Sequence, residues 1–203
     1  MENQIIRLVI LYPHILACCI SIGGIFILDI KLLISKFTLN YYDKILFSQI
    51  ANITYFCLMI LWISGLYLVY FDLDTLTISY LINKQPKLLA KICVVSILTI
   101  NGIYLHKKIF PQIINNKISQ CKNAYIYGGL SISSWLYASF LGIAKPLANV
   151  INFTQFILIY IIFTSIIIVL SLFIAKILIN NGKYHLIERK LKHFNKHALK
   201  MSK

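Results

Sequence analysis

Acidic side chains are scarce in this chain, with 6 Asp and Glu against 20 Lys and Arg in 203 residues. Charged residues of both signs make up only 13% of the sequence, where soluble domains carry about 25%. That scarcity excludes an ordinary soluble fold. None of the five cysteines forms a CxxC pair, and Cys18, Cys19, Cys57 and Cys93 sit inside apolar runs. There cysteine acts as a small hydrophobe, so no disulfide framework is expected. No Gly-rich phosphate loop, HExxH, nucleophile elbow or acid-rich cluster is present, which removes the chemistries those motifs carry. The first apolar run lacks a basic leader and a small-residue cleavage site before residues 35–44. It is therefore expected to stay in place as a span.

What the chain has in quantity is apolar sequence, 59% of its residues, at a mean hydropathy of +0.79. The net charge of +14 raises nucleic acid as a partner. However, the basic residues flank apolar runs and form no groove with interleaved aromatics, so no nucleic-acid partner is expected. A helix needs about 20 apolar residues to cross the hydrocarbon core. Five stretches meet that length, at about 5–34, 45–71, 86–110, 123–143 and 152–180. They are too long for strands and lack the period-two alternation of a membrane barrel. The expected fold is an all-α integral membrane protein, a five-helix transmembrane bundle over residues 1–182.

Lysine and arginine set the orientation. With the N-terminus outside and the C-terminus cytoplasmic, fifteen basic residues lie inside and five outside. Residues 183–203 form a second expected element. Ile187, Leu191, Phe194 and Ala198 recur at helical spacing among basic side chains, as in an amphipathic helix on anionic inner-leaflet lipids. His185, His193 and His197 in this tail are read as part of its polar face. Such a chain belongs in a bacterial cytoplasmic (inner) membrane as a multi-pass protein.

An ionisable group inside a span is a functional candidate, because lipid offers it no partner. At 100° per residue, Cys18, Ser21, Ile25 and Asp29 fall within about 60° of His14 on the first span. Gly23 and Gly24 flank this stripe and offer a close approach to a neighbouring helix or a flat ligand. On the third span Lys91, Val95, Leu98, Gly102 and His106 share a face, with Asn101 at its edge. His14 to Asp29 and Lys91 to His106 are each 15 residues apart, about 22 Å of helix. Spans one and three run in the same direction. An outer layer of His14 and Lys91, joined by Lys145, and an inner polar pair of Asp29 and His106 are therefore expected. The fourth span carries Ser131, Ser133, Ser134, Trp135, Tyr137 and Ser139, the composition of a buried helix lining an interface.

His14, then Gly23-Gly24, Ile25-Phe26 and Leu28, resembles the first helix of a group of small polytopic bacterial membrane proteins. The group includes the HemJ protoporphyrinogen oxidases and the CopD-type copper-resistance proteins. Pro86-Lys87-Leu88-Leu89-Ala90-Lys91 is similar to the opening of the third HemJ helix. The likeness covers the first and third spans, and Asp29, Ile30 and Lys31 stand where HemJ has an arginine. The resemblance implies haem b as cofactor, with His14 and Lys91 as binding positions and His14 as the metal ligand. A neutral imidazole can hold iron, Lys91 can meet a propionate, and Gly23 and Gly24 would leave room for a macrocycle. Two other functions fit the same residues. One is transport of a metal ion, proton or small anion by a homodimer, and the other is a membrane complex subunit without catalysis.

Reporter fusions test the orientation. Fusions after Phe37 and Lys203 are expected to read cytoplasmic, and one after Ser79 external; a cytoplasmic N-terminus overturns the assignment.

Overall fold

A computed structural model describes the backbone of residues 2–34, 41–72, 85–114, 122–144 and 146–201. Side chains are described within 4–31, 41–70, 85–112, 123–144, 146–147 and 150–177. Cys121, Asp74, Lys145 and the tail side chains lie outside the described residues.

The described chain is helical throughout. The helices are α1 (Glu2–Ile34), α2 (Tyr41–Asp72), α3 (Pro86–Tyr104), α4 (Lys122–Ile143) and α5 (Phe153–Met201). Helix α3 continues without a break into a π-helical turn, Leu105–Ile109, and a last α-helical turn, Phe110–Ile114. Five segments are long and apolar enough to cross a membrane: Gln4–Lys31, Tyr41–Tyr70, Pro86–Gln112, Asn123–Ile143 and Phe153–Ile177. They coincide with the expected spans. The fifth span and residues 183–201 are one continuous helix of 49 residues.

Local sequence sets the helix starts. Pro86 occupies the first turn of α3, where its missing N–H costs nothing. The Gln85 carbonyl accepts from the Leu88 and Leu89 amides. At α5 the Gln155 side chain reaches back 3.0 Å to the Asn152 amide, half of a capping box. Pro13 lies within α1, which remains a single helix.

Contacts between helices fix an up-and-down bundle. His14 of α1 meets Ser64 of α2, while Gly24 meets Ile50 and Thr54, so α1 and α2 are antiparallel. A 2.9 Å salt bridge from Lys31 to Asp43 closes the short connection between them. Helix α4 runs against α3, with Gly142 near Lys91 and the Asn101 amide donating to the Tyr127 carbonyl at 3.0 Å. It also runs against α5. The Tyr137 hydroxyl donates to the Phe156 carbonyl at 2.7 Å, Ser134 pairs with Tyr160 at 2.8 Å, and Gly129 lies on Ile168. Helices α1 and α3 are thus parallel, as the orientation argument requires.

Lipid tails are as apolar as leucine, so burial alone does not hold these helices together. Close packing does. The core has one cluster around Ala90, Val94, Leu141 and Phe156, a central one around Leu58, Leu98 and Trp135, and one around Leu28, Phe47 and Leu105. Gly24 is a close-approach point: a Cβ there would stand 3.0 Å from Ile50 Cγ2, whereas one on Gly23 would meet nothing within 4 Å. Gly24→Leu is accordingly expected to lower stability in detergent by about 1–3 kcal/mol through overpacking. Gly23→Leu should stay within about 0.5 kcal/mol. Thermal unfolding of both variants checks this, and equal effects would contradict the packing.

Candidate functional site

The site is built where α1, α2, α3 and α4 meet, around His14. Its Nδ1 lies 2.8 Å from the Ser64 Oγ. The Ser64 hydroxyl donates to the Ile60 carbonyl one turn back, as serine in a membrane helix commonly does. With its own proton committed, Ser64 Oγ accepts from His14, so the imidazole is the Nδ1–H tautomer by the logic of the network. Nε2 then holds the free lone pair. This is the arrangement of metal-ligating histidines, whose other ring nitrogen donates to an oxygen.

Gly65 adjoins the ring, and a Cβ there would make an ordinary 3.6 Å contact with His14 Cε1. The same logic orders the next turn of α1. Ser139 donates to the Trp135 carbonyl at 2.9 Å, leaving its oxygen to accept from the Cys18 thiol at 3.4 Å.

Lys91 reaches into this cluster from α3. It is close enough for its charge to act on His14 and for Cys18 to act on it in turn. Its Nζ is 4.0 Å from the place of a Cβ on Gly142, so glycine leaves space on the α4 side as well. Among the described residues no carboxylate forms a salt bridge with Lys91, and Asp43 is paired with Lys31. A half-buried ammonium without a carboxylate can receive an anion, next to an imidazole able to receive an acceptor of electron pairs. His14 and Lys91 thus lie within reach of each other's charge at one end of the bundle.

Other expectations are corrected. Gly23 and Gly24 do not border His14. They lie nine and ten residues along α1, about 14–15 Å away. Gly24 packs on α2, and Gly23 is exposed on the outer face of the bundle. The glycines beside the site are Gly65 and Gly142. Asp29 and His106 form no ion pair among the described residues. Asp29 Oδ2 is buried with no hydrogen-bond partner, while the exposed His106 ring stacks on Tyr55 at 6.2 Å. His106 stands near the start of the π turn Leu105–Ile109, which widens the helix from that point on.

Ser64 and Gly65 escape a search for ionisable groups, because the second span has none near its middle. The adjacent serine and glycine in an otherwise apolar run were the available signal. Among the described residues there is no group of three or more His, Cys, Asp or Glu placed to hold a metal ion.

The fold and site define a helical bundle with five membrane-length spans and a polar centre at the His14 end. Comparison with family models, curated proteins and solved structures gave no match.

The tautomer is directly measurable. In 15N-histidine-labelled protein, His14 is expected to carry its proton on Nδ1, and Ser64→Ala to release it and cost about 0.5–1 kcal/mol. An Nε2–H tautomer in the parent chain contradicts the network.

Proposed function

We propose that this chain is a multi-pass protein of a bacterial inner membrane that binds haem b at His14 and serves a redox or haem-handling reaction. The observation that carries the reading is the commitment of His14 Nδ1 to Ser64, which leaves the Nε2 lone pair uncommitted on a residue that lies within reach of the Lys91 charge. The residues suit the group in three respects. Nε2 is a nitrogen ligand of the type that holds haem iron, Lys91 is a cation available for a propionate, and the residues bordering the two on α2 and α4 include the small Gly65 and Gly142. Bound haem supplies one-electron chemistry, and its potential follows from ligand identity and burial. The protein's own residues orient the imidazole, balance the ligand's negative charge and keep the centre away from bulk water. The resemblance of His14 and Lys91 to the HemJ positions points the same way.

In this reading the His14 end faces outward, the tail lies on anionic inner-leaflet lipids, and two chains pair as a homodimer. His14 would be the one imidazole that each chain offers to the iron at this depth.

The detergent-purified full chain, titrated with hemin and reduced, is expected to develop a Soret band that His14→Ala abolishes. Lys91→Met should weaken haem binding by on the order of tenfold, the worth of a charge-assisted contact. No Soret band, or an unchanged one in His14→Ala, overturns the proposal.

A further inference from the structure

The seam between α2 and α3 is unlike its neighbours in the bundle. Among the described residues these two helices make no broad backbone approach, whereas α1 packs along α2 and α3 along α4. Side chains bridge the seam instead. Nearer the His14 end, Trp62 Nε1 donates to Thr99 Oγ1 at 2.9 Å. Farther along, the rings of Tyr55 and His106 stack at 6.2 Å, and those of Phe47 and Phe110 meet edge to face at 5.1 Å. Behind these bridges lies a cavity of about 70 Å³. Its inner wall includes the buried side chains of Ala51, Leu58, Leu98 and Trp135. On the lipid side it is bordered by Gly102 and by the exposed rings of Tyr55 and His106. A Cβ on Gly102 would meet nothing within 4 Å, so no side chain closes the seam at that residue.

Chemistry, size and depth decide what fills this space. Its walls are almost wholly apolar, and apolar cavities stay dry because a buried water needs about two to four polar partners. The unpaired Thr54 Oγ1 on the wall supplies one of these. At 70 Å³ the cavity has less than half the roughly 150 Å³ that accepts a benzene ring. That excludes a flat aromatic head such as a quinone, and on the same scale leaves room for about three carbons of an alkyl chain. An empty void forfeits dispersion contacts, and a chain end restores them. Gly102 stands three residues past Thr99, the midpoint of the span Pro86–Gln112, at the depth where the two leaflets' chain ends meet. Toward the end of that span, exposed Lys107 and Lys108 directly follow His106. Of the acids at this end, Asp43 is bound to Lys31 and Asp29 keeps one carboxyl oxygen buried. Basic side chains bordering a span attract anionic lipid heads.

We infer that the α2–α3 seam binds one acidic phospholipid. A phosphatidylglycerol-type head is held by Lys107 and Lys108, and the end of one acyl chain passes the gap at Gly102 to rest against Trp135. The lipid supplies the contacts that the cavity lacks and joins α2 to α3 where their backbones stand apart. None of His14, Cys18 or Lys91 lines the cavity. The inference therefore goes beyond haem binding and is tested without haem, so the two stand or fall separately.

Trp135 reports the chain end directly. Trp62→Phe leaves Trp135 as the one indole and keeps an aromatic ring at the upper bridge. The full haem-free chain with this change is placed in phosphatidylcholine liposomes. These hold a variable share of phosphatidylglycerol brominated near the end of one chain, bromine being a contact quencher of indole fluorescence. Trp135 is buried, so quenching requires bromine inside the cavity. Half-maximal quenching is expected at a mole fraction on the order of tenfold lower for brominated phosphatidylglycerol than for brominated phosphatidylcholine. Lys107→Gln together with Lys108→Gln should abolish that preference. Gly102→Leu, which puts a side chain into the gap, should remove the quenching. Gly23→Leu, equally unobstructed but away from the seam, should keep it. Trp135 unquenched by either lipid, the result if water or a second copy of the chain filled the seam, overturns the proposal. So do equal quenching by both lipids, a preference that survives the lysine changes, and quenching unchanged in Gly102→Leu.

Discussion

Lipid gives a polar side chain nothing to bond with, and the bundle is organised by that constraint. Each polar group on a buried helix face either finds a partner on another helix or marks a place where a ligand or water belongs. Most follow the first course. Serines return their hydroxyl protons to their own backbone, as Ser64, Ser134 and Ser139 do. Each then presents an oxygen that a neighbouring helix uses: His14 at Ser64, Tyr160 at Ser134 and Cys18 at Ser139. The serine-rich α4 is thereby stitched to α1 and α5, while Asn101 binds α3 to α4.

The groups left over define where function sits. His14 and Lys91 lie within reach of each other's charge at one end of the bundle, bordered by Gly65 and Gly142. Ser21, Thr54 and Asp29 retain unpaired oxygens farther along. Small residues let helices or ligands come close without loss of packing elsewhere.

Much of this was legible in the sequence, because the lengths of apolar runs and their charged borders are direct consequences of bilayer thickness. The equal spacing of His14–Asp29 and Lys91–His106 led to an outer layer of His14 and Lys91, and the structure has these two within reach of each other's charge. At the other end Asp29 and His106 form no ion pair among the described residues, because equal rise along two helices does not set which way each side chain faces. The role of Gly24 was half legible: a close approach was evident, but not that Ile50 and Thr54 would occupy it. Ser64 and Gly65 stayed hidden because the register of an antiparallel neighbour is set by packing, which no single-helix periodicity reports. The sequence pattern of the tail was clear, and its side chains lie outside the described residues.

The central claim is that His14, Cys18, Lys91 and Ser139 converge at one level of the bundle. Engineered crosslinking measures this most directly. In a chain with Cys19, Cys57, Cys93 and Cys121 replaced by alanine, Ser139→Cys places a second thiol opposite Cys18, where the parent atoms are 3.4 Å apart. Mild oxidation is predicted to give an intramolecular disulfide between α1 and α4, seen as a loss of two hydrogens and of thiol alkylation. Two freely alkylated thiols after oxidation would contradict the convergence and the site built on it.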